Sequence, residues 1–259
     1  AGRGVYLLAI EGWADAATIS PFPHAWIRLG QFGRLRSLAR AAGCRDVVFI
    51  GKVLRPSLRM LRFDWQTVKL LPRALEAFRG GDDHLLSRVA RLFEEHGFRV
   101  RGAHEIAPDV LVPQGALGRV QPTARDLADA ARGFSSIKAL GSFDVGQAVV
   151  VADNHILAVE AVEGTDAMLE RVAALRETGR VRTPVGAGVL AKAPKPGQDR
   201  RIDLPAIGPR TVEAVKQAGL AGIAVQAGAV IVAEHEVVVR AADAAGIFVV
   251  GVAADGGDP

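Results

Sequence analysis

The sequence predicts an α/β protein built as two domains, and three observations predict it. Short apolar runs such as Asp46-Val-Val-Phe-Ile50 and Ile247-Phe-Val-Val250 alternate with stretches whose apolar residues recur at helical spacing. Glycine and proline mark most of the changeovers. The span from Gly102 to Pro122 is richer in Gly and Pro and weakly periodic, so the domain boundary falls there. Residues 1–110 then form an N-terminal α/β domain, residues 111–134 a linker with a connecting helix, and residues 135–259 a C-terminal α/β domain.

Taken in order, Val5 to Ile10 reads as a buried strand, followed by a loop around Ser20-Pro-Phe-Pro23. A helix from about Gly33 to Ala42 stops at Gly43, which suits the position after a helix end. Asp46 to Ile50 is a short strand leading into Gly51-Lys52 and Pro56. Pro72 opens a helix that ends near Gly80-Gly81. Asp82 caps the next helix, on which Leu85, Leu86, Val89, Leu92 and Phe93 repeat. Thr123 begins a helix with Leu127 and Ala131 on one face. Val145 to Val151 and Ile156 to Val162, joined at Asp153-Asn154, read as a hairpin. Thr165 and Asp166 start a helix carrying Met168, Leu169 and Val172. Val185 to Leu190 is a buried strand, and a helix starts at Pro209. Strands at Ile223–Val225, Val230–Val232 and Ile247–Val250 follow, with a helix to Ala244 between the last two. The alternation argues for a mainly parallel sheet, and residues 253–259 form a frayed tail.

Composition excludes several classes. Cys44 is the only cysteine, so no disulfide forms within the chain and a reducing compartment is expected. No apolar run approaches the ~20 residues that cross a bilayer, and the first residues do not resemble a signal peptide. A net charge of +4 and a pI near 9.6 favour an anionic partner. With 5% aromatics and no basic–aromatic interleaving, nucleic acid is disfavoured.

The segment Ala191-Lys-Ala-Pro-Lys-Pro-Gly-Gln-Asp-Arg-Arg-Ile-Asp-Leu-Pro-Ala-Ile-Gly208 is the most informative. It follows a buried strand and crowds Lys192, Lys195, Arg200 and Arg201 around Asp199 and Asp203. Ammonium and guanidinium groups neutralise phosphate oxyanions, and an aspartate can hold a divalent metal. A solvated basic connector is the competing reading. Glu163-Gly-Thr-Asp166, between a strand and a helix, offers backbone N–H groups to an anion, or merely caps the helix. Gln147 stands near the hairpin start and can donate to a phosphate or sugar, or face solvent. The six histidines lack metal-ligand spacing, and no nucleophile elbow, Walker loop or dinucleotide fingerprint is present. What remains is metal-assisted chemistry on a phosphate, or plain binding of one.

Several segments together resemble one family. They are Phe49-Ile-Gly-Lys-Val-Leu-Arg-Pro56, Lys69-Leu-Leu-Pro72, Arg79-Gly-Gly-Asp-Asp-His-Leu-Leu86, Gly102-Ala-His-Glu105, Asp144-Val-Gly-Gln147, Glu163-Gly-Thr-Asp-Ala-Met168, the Lys192 loop and Gly246-Ile-Phe-Val-Val-Gly251. Their order is similar to that of the UDP-2,3-diacylglucosamine diphosphatases of the lipid A pathway, in the form unrelated to metallophosphoesterases. The likeness runs from about Ala25 to Val252.

The resemblance implies a ligand cleft between two α/β domains, with the C-terminal domain catalytic. It implies hydrolysis of the pyrophosphate of UDP-2,3-diacylglucosamine to UMP and 2,3-diacylglucosamine 1-phosphate (lipid X), with Mg2+ or Mn2+ and water attacking the α-phosphorus. Asp203 matches the family's essential aspartate and is expected to hold the metal or orient the water. Lys192, Lys195 and Gln198 become expected phosphate or sugar contacts, with Thr165, Asp166 and Gln147 on the opposite wall. Lys52, where the family more often carries Asn, follows a strand and would approach the ligand. The implied setting is cytoplasmic, peripheral on the inner membrane, with no nucleic-acid partner and homo-oligomerisation left open.

Family members usually open on a strand and glycine-rich loop of the L-G-L-I-A-G-G-G type, whereas this chain opens at Ala1-Gly-Arg-Gly-Val5. The expectation is an N-terminal domain without its first strand, with an exposed sheet edge and fewer N–H donors for the ligand. The same cationic loop on such a chain leaves a second reading, a noncatalytic module that binds a nucleotide sugar or phospholipid headgroup.

Overall fold

The computed structural model describes residues 2, 4–51, 64, 65, 67 and 82–254, and the chain divides between Gly102 and Ala103 into two units. Lys52, the stretch from Val53 to Pro56, the motifs at Lys69–Pro72 and Arg79–Gly81, and the helix expected from Pro72 lie outside the described residues.

In the first unit β1 (Leu7–Ile10) pairs in parallel with β2 (His24–Ile27), and α1 (Ala16–Ile19) lies between them in sequence. Neither α1 nor β2 is evident from sequence, because each is four residues long and the prolines beside them read as loop. After α2 (Phe32–Ala41) the chain turns at Gly43, whose φ of 71° confirms the left-handed position read from sequence. β3 (Asp46–Val48) and β4 (Arg99–Arg101) pair in parallel on either side of α3 (Asp82–Glu95). Phe93 of α3 centres this core, edge-on to Phe32 and Phe49 at 5.2 Å each and tilted against Phe98 at 6.0 Å.

The second unit contains α4 (Ala103–Ile106), β5 (Gly115–Ala116), α5 (Ala124–Leu140), β6 (Ala148–Ala152), β7 (His155–Val159) and α6 (Gly164–Glu177). It continues with β8 (Val189–Lys192), β9 (Ala206–Ile207), α7 (Pro209–Gln217), β10 (Gly222–Gln226), β11 (Ile231–Val232), α8 (His235–Ala245) and β12 (Phe248–Val252). Six strands form one sheet in the order β5-β12-β10-β8-β6-β7. The sheet is mixed rather than mainly parallel. β8, β10 and β12 run parallel, but β6 runs against β8, β7 against β6 and β5 against β12. The hairpin accounts for the β6–β7 pairing, since its two-residue turn admits only antiparallel partners. Asp153 and Asn154 take φ of 54° and 61°, the signs a type I′ turn requires. The buried carboxylate of Asp129, from α5, accepts both turn N–H groups at 3.0 and 2.7 Å.

α5 covers one face of this sheet, against Val189, Ala224, Phe248, Val149 and Val151. Thr123 and Asp126 cap it reciprocally, as the Thr123 start anticipates. Its buried face is Ala130, Gly133 and Ile137, whereas Leu127 is half-buried and Ala131 exposed, so the apolar stripe lies elsewhere than the sequence suggests. Small residues mark a close approach: a Cβ on Gly133 would lie 2.3 Å from that of Ala191. The other face buries Val150, Leu190, Ile223 and Val249 against Met168, Leu169 and Val172 of α6, Val212 and Val215 of α7, and Val238 of α8.

β8 begins four residues later than its expected start at Val185. Val185 is 83% exposed, and Gly186 and Gly188 take φ of 82° and 100°, which breaks the extended run. Lys192 is therefore the last residue of a buried strand, with the loop following it.

Candidate active site

Because β6 opposes β8, the first residue of β6 lies beside the last of β8, Ala148 facing Lys192. β7 returns to the same edge, and Glu160 N continues the ladder to Ala148 O at 2.9 Å. Gln147, Glu160 and Lys192 thus converge at the carboxyl edge of the parallel strands, where open α/β sheets place their ligands. Thr165, in the first turn of α6, joins them. Its helix is capped at Glu163 with no side-chain bond, so neither Thr165 nor Asp166 serves as the cap.

The half-buried Asp203 sits at this edge between two amides. Gln147 Nε2 donates to its Oδ2 at 3.0 Å, and Gln198 Nε2 donates to the same oxygen. Gln198 is itself oriented, since its Oε1 accepts from Lys195 N at 2.9 Å, which turns the amide nitrogen toward Asp203. Both donors meet Oδ2, which leaves Oδ1 open among the described residues.

A second chain of hydrogen bonds adjoins the first. Lys192 Nζ donates to Thr165 Oγ1 at 2.9 Å, Thr165 Oγ1 donates to Glu160 Oε1 at 2.7 Å, and Gln147 N donates to Glu160 Oε2 at 2.8 Å. Gly146 makes the approach possible. With φ of 53°, its Cβ position is 2.1 Å from Glu160 O, so no side chain fits there.

The other cations of the loop are drawn into local pairs. The buried Lys195 pairs with Asp144, which holds a left-handed conformation at φ 56°. Arg201 clasps Asp199 through Nε and Nη2 at 3.0 and 2.7 Å; this side-chain bonding holds the Asp199 carboxyl below its ordinary value. Arg200 donates to Gly228 O. Of the residues singled out from sequence, Gln147, Thr165, Lys192, Gln198 and Asp203 come together, with Lys195 adjoining them through its backbone. Asp166 points away and pairs with Arg210 at 3.3 Å. A groove of about 360 Å3 between α6 and α7 is lined by Asp166 and Arg210 with Glu170, Glu177 and Glu213. Its carboxylates make it a poor host for phosphate.

Two participants have no assigned role in the sequence reading, Glu160 and Asp144. Glu160 had a visible signal, a lone acid inside the apolar run Ile156-Leu-Ala-Val-Glu-Ala-Val162. Among the described residues no group of three or more His, Cys, Asp or Glu side chains is placed to cage a metal. Asp203 Oδ1, which has no hydrogen-bond partner among the described residues, is a hard oxygen of the kind Mg2+ or Mn2+ takes, since such cations are commonly held by one or two carboxylates together with substrate phosphates.

Comparison with known proteins gives a consistent picture. Residues 1–110 match the family profile described as LpxI N-terminal domain, and residues 113–250 match the LpxI C-terminal domain. The chain is 44% identical over 252 residues to the UDP-2,3-diacylglucosamine pyrophosphatase LpxI of Caulobacter vibrioides, covering 97% of this chain and 90% of that protein.

Proposed function

The chain belongs to the LpxI family and is a pyrophosphate hydrolase, and on that premise we propose that it cleaves UDP-2,3-diacylglucosamine to UMP and 2,3-diacylglucosamine 1-phosphate with the help of Mg2+ or Mn2+. The observation that most supports this reading is the anchoring of Asp203 Oδ2 by Gln147 and Gln198, which leaves Oδ1 without a hydrogen-bond partner among the described residues. Pyrophosphate cleavage asks for little covalent help from a protein: it needs charge neutralisation at the phosphoryl group and an oriented water.

Asp203 supplies the orienting carboxylate, for the attacking water at the α-phosphorus or for the cation. Lys192 brings positive charge to the phosphate oxygens, and Thr165 fixes where that charge sits. Gln147 and Gln198 keep Asp203 from rotating. A divalent cation held by Asp203 and the substrate phosphates would neutralise charge on the leaving phosphate and lower the pKa of bound water. Lys195 is better placed to hold the loop to Asp144, with any substrate contact secondary to that pairing.

No helix among the described residues is long and apolar enough to cross a membrane. We place the enzyme at the cytoplasmic face of the inner membrane in peripheral contact, because a diacylated substrate resides in a bilayer. The test is direct. Purified protein incubated with UDP-2,3-diacylglucosamine and Mg2+ or Mn2+ should release UMP and 2,3-diacylglucosamine 1-phosphate together. Absence of both products, or full release by Asp203→Ala, removes the reading.

A further inference from the structure

We propose that Glu160 is a positioning residue of the hydrolytic site, which sets Gln147 and Thr165 and, through them, Asp203 and Lys192. The inference rests on the hydrolase reading above and adds the residue on which its two hydrogen-bond chains meet.

Glu160 uses its two oxygens for two different walls of the site. Oε2 takes the backbone N–H of Gln147, whose side chain donates to Asp203. Oε1 takes the hydroxyl of Thr165, whose oxygen receives Lys192 Nζ. A hydroxyl has one proton to give. With that proton committed to Glu160, the Thr165 oxygen faces Lys192 as an acceptor, so the direction of the whole chain follows from the carboxylate. The lever is stiff. Glu160 leaves β7 within the ladder to Ala148, and the Gly146 backbone presses against its carbonyl with no room for a side chain. A shift of Glu160 therefore displaces the base of the Gln147 arm as well as the Lys192 arm.

Charge and lone pairs distinguish this role from mere packing. Glutamine fits the same space but presents one acceptor and one donor to two donors. Its NH2 group must either face Gln147 N–H, pushing away the backbone that carries the Gln147 amide, or force the Thr165 hydroxyl to accept where it now donates. Either way one chain loses its geometry while the core beneath is unchanged.

The test compares wild type, Glu160→Gln, Thr165→Val and the double variant in UMP release and in thermal melting. Glu160→Gln should lower kcat by about a hundredfold, the scale of loss for a misplacement near 1 Å, with KM nearly unchanged. Thr165→Val should lower kcat in the same direction. The double variant should be no slower than the worse single one, because both act through one chain. Folding defects would instead show as a melting drop, with losses that multiply. Wild-type kcat in Glu160→Gln, or a double variant whose loss is the product of the two, overturns the proposal. If Glu160→Gln does not fold, Glu160→Asp carries the test: the shorter carboxylate cannot span both the Gln147 N–H and the Thr165 hydroxyl, so kcat must fall, and wild-type kcat overturns the proposal. A wild-type protein without hydrolytic activity refutes the functional reading and this inference together. An active wild type with insensitive variants refutes this inference alone.

Discussion

Gln147 and Asp203 are 56 residues apart in the chain and meet side chain to side chain at 3.0 Å, one before a central strand and the other in the loop beyond its neighbour. Gln198 reaches the same carboxylate oxygen from within that loop. Removing one amide leaves the other, so the two should partly back each other up. Gln147→Ala and Gln198→Ala are each expected to lower kcat roughly 10- to 100-fold, the scale seen when a partner orienting a functional group is lost. The double variant should approach Asp203→Ala in UMP release. Full activity in either single variant would show that the amide in question does not orient Asp203.

Divalent cation dependence is a separate prediction. Treatment with EDTA should abolish UMP release, and added Mg2+ or Mn2+ should restore it, with Asp203→Asn unresponsive to restoration. Steady hydrolysis in excess chelator would sink the metal-assisted part of the proposal.

Gly146→Ala should destabilise the second unit as well as inactivate it. The left-handed backbone alone costs about 1–2 kcal/mol for an L-residue, and the new methyl would meet Glu160 O at 2.1 Å. Thermal melting should fall clearly below wild type; an unchanged melt would contradict the contact.

Asp129→Ala tests the hairpin rather than the site. It strips the acceptor from two turn N–H groups at Asp153 and Asn154. Both bonds are only partly buried, so water replaces some of what is lost and each should contribute about 1 kcal/mol. The melting temperature should drop while residual kcat per folded molecule is retained, and a fall in kcat without a fall in stability would be the contrary result.

The Asp199–Arg201 clasp predicts an acid sensitivity. Bonding from Arg201 lowers the folded pKa of Asp199, so the carboxylate binds a proton less readily when folded than when unfolded. That contribution is complete above the ordinary aspartate value near 4 and disappears as pH falls from there through the lower folded value. Melting temperatures taken between about pH 5 and pH 2 should decline less steeply in Asp199→Asn than in wild type. Parallel curves would show that the clasp contributes nothing.

Much of the second unit is legible in its sequence because its signals are local. The hairpin announces itself through two polar turn residues between β-branched runs, and Thr123 with Asp126 spells a reciprocal cap. β8 is displaced because apolar character alone hides the positive φ of Gly186 and Gly188. β5 and β9, two residues each, carry no periodicity to read. The site divides in the same way. Lys192, Gln198 and Asp203 lie within one short stretch, the end of β8 and the loop after it, and attract notice by charge density, but no spacing rule links Gln147 to Asp203 or Glu160 to Thr165 and Lys192. Those contacts exist because an antiparallel strand is inserted beside parallel ones, a property of the whole sheet.

That insertion has a practical side. The turn at Asp153-Asn154 lies at the far end of β6 from Gln147, about 17 Å away for five extended residues. His155, exposed beside the turn, is therefore a suitable place for a thiol. In a Cys44→Ser background, His155→Cys would be the sole maleimide target. It would allow the protein to be tethered to a sensor chip or given a fluorophore while the rim that carries Gln147 and Asp203 stays clear.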